Sequence, residues 1–165
     1  MKPIDVAKKL WEKCVEIQDS LGTNISYGPA PLYSYPGILT MFAAVQAAVC
    51  KEDEEWINDV NSYLEKYPFK FEEPGIKFNY NFENYRVGGV GKGWMMMRGY
   101  FKDHEEVLRE YAERTFNGPH THDGIVTSIK PRNQGRVWID VAFCVTPFML
   151  YAGLVLNDPK YIDYA

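Results

Sequence analysis

The stretch FKDHEEV, residues 101–107, joins two predicted helices, and it decides the fold because two other stretches share its pattern. CKEDEEW (50–56) and LNDPKYI (156–162) also run from an apolar residue through a polar residue and an acid into a new helix. The three stretches start at residues 50, 101 and 156, a spacing of 51 and then 55 residues. A period of about 50 residues, each unit being a long loop, an apolar helix, a tight turn and a charged helix, is typical of a helical-hairpin repeat, which forms either an open solenoid or a closed ring of hairpins.

Apolar residues recur at three- and four-residue steps and predict helices over 4–21, 37–50, 53–67, 87–101, 103–116 and 140–156, with a last one starting at Pro159. The first helix of each pair is apolar all round and the second has one apolar face. The first should therefore be the inner helix and the second the outer one. Because no stretch alternates as a strand does, the sequence predicts an all-α fold, and 165 residues have room for one domain.

Composition excludes several classes of partner. The net charge is -4 and no Lys/Arg cluster occurs, which argues against nucleic acid or an anionic membrane surface and leaves a small ligand. We find neither a signal peptide nor an apolar segment that would span a bilayer. Cys14, Cys50 and Cys144 each fall in an apolar helical pattern without CxxC spacing, so we expect buried thiols in a reducing compartment and a cytoplasmic protein.

Two short motifs suggest ligands, but each also has a structural interpretation. GGVGKGW, residues 88–94, is similar to a phosphate loop, yet no strand precedes it and Gly93 follows the lysine where that motif needs Ser or Thr. Close helix packing at its small residues is the preferred interpretation. PHTHDG places His120, His122 and Asp123 within four residues, either as metal ligands or as a loop rim that binds a polar ligand. We predict neither a metal nor a cofactor.

Asp140 in RVWIDVAF (136–143) is the strongest candidate for a reactive group. An aspartate at the start of a helix can simply cap it. Here Trp138 and Phe143 flank the carboxyl group, and an apolar surround raises a carboxyl pKa toward the range of a general acid near neutral pH. The sequence leaves both roles open.

The segment from Arg136 to Ala165 resembles the W-[LV]-D…P-F…D-x-x-Y stretch of the unsaturated glucuronyl and rhamnogalacturonyl hydrolases, glycoside hydrolase families 88 and 105. NFENYRVGGVGKG and YSYPGILT are similar to that family's loops at the matching places. The resemblance implies a six-hairpin (α/α)6 toroid, in agreement with the repeat. Three repeat junctions account for about half of such a ring, so we expect a truncated, N-terminal half-barrel that self-associates through its open edges.

The resemblance also implies the site. Asp140 would be the catalytic acid and base, and Trp138, Tyr33 and Tyr35 would bind the unsaturated sugar. The family's second acidic residue falls in FENYRVGG, where Glu83 or Asn84 would stand in for it.

DGIVTS replaces a family stretch that carries a histidine, and His120 or His122 would take over its role of binding substrate. The implied reaction is hydration of the C4=C5 bond of a terminal unsaturated uronic acid, which releases that sugar from an oligosaccharide made by a polysaccharide lyase. Two alternatives stay open: a non-catalytic helical-repeat module that binds sugar or protein, and another (α/α)6 sugar enzyme such as an epimerase or a two-carboxylate glycosidase.

Overall fold

The computed structural model of the chain describes residues 2–21, 32, 35–66, 84–127, 137 and 139–165. Within these ranges every extended regular element is a helix, which confirms the all-α prediction. The eight α-helices are α1 (Pro3–Leu21), α2 (Tyr35–Lys51), α3 (Glu54–Lys66), α4 (Asn84–Met97), α5 (Glu105–Phe116), α6 (Ile139–Cys144), α7 (Thr146–Leu156) and α8 (Pro159–Tyr164) in the described ranges. The contacts form two compact units, Met1–Asn79 and Tyr80–Ala165, and a single domain stays a prediction.

Helix boundaries follow the apolar pattern with two differences. The helix predicted to reach residue 101 ends at Met97, because Gly99 has a φ of 92° and reverses the chain. The helix predicted over 140–156 is divided at Val145, just before Thr146 and Pro147. Proline lacks an N–H and its ring crowds the carbonyl four residues earlier, so the regular helix is interrupted there.

The three inner helices end in the same kind of turn. Glu52, Gly99 and Asn157 follow α2, α4 and α7 with positive φ angles of 57°, 92° and 50°. In each case the next residue's N–H donates to the carbonyl five residues back, over 3.1, 3.2 and 3.0 Å. This is the Schellman arrangement, which satisfies the last free carbonyls of a helix while turning the chain back. The three predicted turns are therefore present.

The residues that cap the outer helices differ from those expected when the three turns are aligned by sequence. Asp53 Oδ1 accepts from Trp56 N (3.1 Å) and Asp158 Oδ1 accepts from Lys160 N (3.3 Å), so two outer helices begin at an aspartate cap. The alignment placed the first capping acid at Glu52, which is wrong, since Glu52 itself adopts the left-handed conformation. In the middle turn a 3-10 helix, Lys102–His104, separates α4 from α5. No side chain caps the start of this 3-10 helix or the start of α5.

In the first unit, α1 and α3 run parallel on α2. Lys8 of α1 binds Asp53 (2.8 Å) and, one turn later, Trp11 Nε1 donates to Asp59 (2.6 Å). The Lys8 hydrogen bond lowers the pKa of the Asp53 carboxyl, with help from the α3 backbone. The cap of α3 is therefore also the point at which α1 attaches.

The second unit repeats this arrangement with α5 and α8. Three contacts join them in increasing order along both helices: Arg109 with Asp158 (3.8 Å), Glu113 with Tyr161 (2.7 Å) and Phe116 with Tyr164 (ring centroids 5.3 Å apart). The order shows that α5 and α8 are parallel. Glu113 and Tyr161 are 48 residues apart, the same separation as Trp11 and Asp59 in the first unit.

Glycines bring α4 and α7 close together. A Cβ at Gly89 would fall 2.5 Å from Phe148 Cε2, and one at Gly93 would fall 3.1 Å from Tyr151 Cβ. Since both pairs advance in the same direction, α4 and α7 are parallel. GGVGKGW thus lies inside a helix rather than in a phosphate loop, and close packing at its small residues is confirmed at Gly89 and Gly93.

The expectation of three buried thiols is wrong for Cys50. Cys144 is buried and Cys14 is half-buried, but Cys50 is exposed. The buried face of α2 includes Met41, Val45 and Ala48, and position 50 falls off that face on the last turn. In the described ranges, no helix is both long enough and apolar enough to cross a bilayer.

We expect Gly89→Ala to lower the free energy of unfolding by about 1–2 kcal/mol. The new methyl group would lie 2.5 Å from Cε2 of the fully buried Phe148 ring, so the cost should fall in the upper part of the roughly 1–3 kcal/mol typical of overpacking, offset by about 1 kcal/mol of better helix propensity. Gly93→Ala, whose Cβ meets its neighbour at 3.1 Å, should cost less. Urea unfolding followed by circular dichroism measures both, and equal stability of Gly89→Ala and wild type would contradict the packing role.

Candidate functional site

The predicted site residues fall mostly at the starts of inner helices. Tyr33 and Trp138, with the alternative Glu83, lie outside the described residues. Tyr35 is the first residue of α2 in the first unit, and Asn84 is the first residue of α4 in the second. Their side chains, like that of Asp140, are outside the described set.

One end of the second unit collects several of these positions. The parallel helices α4 and α7 start at the same end, α6 directly precedes α7, and α6 contacts α4. Asn84 and the backbone of Asp140 therefore lie at that end. Because α5 and α8 run back from the tight turns, their last residues, Phe116 and Tyr164, reach the same end.

The loop after α5 forms a small hairpin at this end. Thr121 N donates to Ile125 O (2.7 Å) and Thr127 N donates to Pro119 O (2.8 Å). The turn closes at Gly124, whose φ of 83° suits glycine.

The two histidines are held apart. His120 Nε2 lies 2.5 Å from the Tyr164 hydroxyl, with the two rings edge to face and their centroids 5.7 Å apart. His122 sits at the tip with a fully exposed side chain and pairs with its neighbour Asp123 at 3.2 Å. In the described part of the chain, no three His, Cys, Asp or Glu side chains are grouped closely enough to hold a metal ion.

A cluster of charged and polar side chains on α5 and α8 lies about one helical turn before the His120–Tyr164 contact. Glu113 on α5 accepts hydrogen bonds from Lys160 and from the Tyr161 hydroxyl on α8. The Lys160 hydrogen bond lowers the pKa of Glu113 most, and burial, followed by the bond to Glu113, raises the pKa of Tyr161. At neutral pH the glutamate is thus a fixed anion that ties α8 to α5 beside the histidine.

Asp140 is the second residue of α6, one place inside the helix. Ile139, the residue before it, is 87% exposed, and Phe143, three residues after it, is 41% exposed. The low-dielectric setting that would raise its pKa gains no support from these two side chains. Asp140 as a catalytic group stays a prediction.

Two polar side chains that make side-chain contacts with histidines in the structure were not identified from the sequence. Tyr164 was not singled out as the partner of His120, and Lys92 was read only as part of a glycine-rich packing stretch. The 48-residue offset between parallel outer helices would have paired Phe116 with Tyr164, which places that tyrosine beside the loop that starts at residue 117. No pattern in the sequence points from Lys92 to its partner, His104.

Comparisons of the chain with protein-family models, with curated proteins and with solved structures gave no match.

Tyr164→Phe should loosen the hairpin after α5, since it removes the hydroxyl that bonds His120 and leaves the ring in place. A hydrogen bond of this kind contributes about 0.5–1.5 kcal/mol, so amide exchange at Thr121, Ile125 and Thr127 should speed up by roughly two- to tenfold. Hydrogen exchange read by NMR measures this, with Tyr100→Phe as the matched control. Unchanged exchange at these three amides would show that the contact does not hold the loop.

Proposed function

We propose that the chain is a carbohydrate-active hydrolase that removes a terminal unsaturated uronic acid from lyase-generated oligosaccharides, with Asp140 as its catalytic acid and base. The observation that carries the proposal is the R-V-W-I-D stretch and the P-F and D-P-K-Y residues that follow it, which resemble the hydrolases of glycoside hydrolase families 88 and 105. The position of residue 140 supports it, because Asp140 lies near the start of α6, directly after the long connection from α5, and such connections and the residues that border them commonly carry active sites.

The reaction needs one carboxyl group rather than the usual two of a glycosidase. Asp140 delivers a proton to C4 of the C4=C5 bond, and positive charge develops at C5, shared with the ring oxygen. The aspartate then takes a proton from the water whose oxygen bonds to C5. The hydrated product is a hemiketal, which opens and releases the remaining oligosaccharide.

The proposed architecture is an (α/α)6 toroid of which the chain forms about half. Its support lies in the parallel inner helices α4 and α7, in outer helices that run parallel within each unit, and in three turns of the same Schellman type, all of which a ring of hairpins requires. In this proposal Trp138, Tyr33 and Tyr35 bind the unsaturated sugar, and Asn84, His120 and His122 contribute polar contacts. A cytoplasmic location is part of the same proposal and rests on the cysteine pattern.

A second candidate, a non-catalytic module that binds sugar or protein, is favoured by one specific observation. The helix that carries Asp140 is six residues long, and its first residue, Ile139, is 87% exposed. An open surface of this kind binds a partner more readily than it creates the dry environment that a general acid needs.

Asp140→Asn should keep the fold and reduce the consumption of an unsaturated uronyl disaccharide by at least about 10²–10⁴-fold, the range for removing a general acid or base. The amide is nearly isosteric but cannot transfer the proton. The conjugated double bond absorbs in the near ultraviolet, so the loss of absorbance reports turnover directly.

Glu106→Gln, which replaces a carboxylate by an amide on an exposed position of α5 near the tight turn, is the matched control and should retain the wild-type rate. Bleaching by Asp140→Asn at the wild-type rate would limit Asp140 to a helix-terminal role. Binding of the disaccharide by wild type without any bleaching would instead favour the binding module.

We also propose that the chain self-associates through open edges of the helix array. Large apolar side chains are exposed on both units: Val6, Leu10, Met97, Ile139, Phe143, Leu154 and Ile162. Covering about 500 Å² of such surface would contribute on the order of 12 kcal/mol at about 25 cal/mol per Å². Patches of this size usually find a partner.

Light scattering at micromolar concentration should therefore give a mass above that of the monomer. Leu154→Glu, at a site that is 52% exposed, should shift the mass toward the monomer because it places a charge in the contact. Gln46→Glu, on an exposed position of α2, is the control and should leave the mass unchanged. A monomeric wild type would rule out association through these edges.

A further inference from the structure

Glu113 holds two separate segments of the second unit with one carboxylate. Its Oε1 accepts hydrogen bonds from Lys160 Nζ and from the Tyr161 hydroxyl, the second over 2.7 Å. Its Oε2 accepts from the side-chain amide of Asn117 over 3.1 Å. Lys160 and Tyr161 belong to α8, whereas Asn117 is the residue at which the chain leaves α5. The carboxylate therefore joins α8 to the start of the connection after α5.

Asn117 begins the segment that leads to His120. Its backbone N–H and its side-chain amide both donate to the Glu113 carbonyl, over 2.9 and 3.0 Å. His120 follows three residues later and lies opposite Val126 in the hairpin after α5. Val126 and Thr127, on the second arm of this hairpin, are buried, and His120 lies on the first arm. The contacts between Asn117 and Glu113 therefore restrain the end of the first arm that is nearest to α5.

The other attachment runs through α8. This helix has six residues, too few to be stable without contacts to its neighbours. Tyr161 is fully buried, and its hydroxyl donates to Glu113. Tyr164 follows one turn later on the same face of α8, since the Phe116 ring contacts both tyrosines. The Tyr164 hydroxyl lies 2.5 Å from His120 Nε2, so Glu113 also restrains the helix that contacts the histidine ring.

These contacts form a closed cycle. It passes from Glu113 to Asn117, along the chain to His120, across to Tyr164, and back along α8 to Tyr161, which returns to Glu113. His120 is thereby restrained twice, through its backbone and through its ring. Glu113 contributes to both restraints, although it does not contact His120 itself.

Hydrogen-bond acceptance, rather than charge, is the main contribution of Glu113. The ion pair with Lys160 contributes little by itself, because both side chains are 40% exposed and water screens them. The Tyr161 hydroxyl is buried, and loss of its acceptor would leave it without the hydrogen bond that offsets its burial. A side chain at position 113 that keeps an acceptor oxygen should therefore keep much of the effect.

We propose that Glu113 is a positioning residue for substrate binding, which acts through Asn117 and Tyr161 to hold the His120 imidazole at the site end of the second unit. The inference rests on the proposed function, in which His120 makes a polar contact with the sugar. A contact away from the reacting C4=C5 bond stabilises the ground state and the transition state equally. Its loss raises KM and leaves kcat unchanged.

Glu113→Ala removes the shared acceptor and should raise the KM for an unsaturated uronyl disaccharide by roughly two- to tenfold, the effect of one displaced hydrogen bond, with kcat within about twofold of wild type. Glu113→Gln keeps an oxygen that can accept from Tyr161 and should recover part of the wild-type KM. Tyr161→Phe removes the same hydrogen bond from the α8 side and should raise KM in the same way.

Glu110→Gln is the matched control. Glu110 lies on the same helix, is about half exposed and pairs with Arg114 rather than with α8 or Asn117, so this variant should keep the wild-type KM. A fall in kcat without a rise in KM for Glu113→Ala and Tyr161→Phe would overturn the proposal.

A second measurement needs no substrate and separates the two proposals. In NMR spectra of the free chain, Glu113→Ala and Tyr161→Phe should shift the His120 ring signals and speed amide exchange at Thr121 and Thr127 by roughly two- to tenfold, and Glu110→Gln should do neither. Unchanged ring signals and exchange, in a chain whose wild type consumes the disaccharide, would overturn the positioning role alone. A wild type that leaves the disaccharide unconsumed would overturn the proposed function and the positioning role together.

Discussion

The reversal of the chain after each inner helix is the constraint on which the rest of the structure depends. A left-handed residue followed by an amide bond to the carbonyl five residues back returns the chain at once, so the next helix lies against the one that has just ended. Only Gly99 adopts this conformation freely; Glu52 and Asn157 carry side chains there. The repeated turn makes inner helices parallel to one another and outer helices parallel to one another wherever consecutive hairpins pack.

A second requirement of the fold is that the inner helices α4 and α7 approach each other closely. Phe148 occupies the space that a side chain at Gly89 would fill, so α4 and α7 are nearer than two helices with ordinary side chains would be. Ion pairs join the outer helices, Lys8 with Asp53 in the first unit and Arg109 with Asp158 in the second. Apolar contact inside and charged contact outside follow from the difference in hydrophobicity between the two helices of each hairpin.

The sequence predicts the helices and turns well because each depends on local patterns, whereas the candidate site depends on longer-range contacts. The apolar spacing located the helical segments of the described ranges, and the failures at Gly99 and Val145 came from single residues that override a continuing pattern. The contact between His120 and Tyr164 spans 44 residues, and it arises only when α5 and α8 become parallel. Spacing in PHTHDG suggested that His120 and His122 act together, but the hairpin turn at Gly124 directs them apart. The role of Asp140 could be inferred only from resemblance.

In the second unit the hairpins place the tight turns and the candidate site residues at opposite ends of the helices. Tight turns gather at one end of the second unit, while the helix starts at Asn84 and Ile139 and the loop of His120 lie at the other. The buried Lys92 lies in the middle of α4. Its amine reaches toward the turn end, where it contacts His104 and the Phe101 ring.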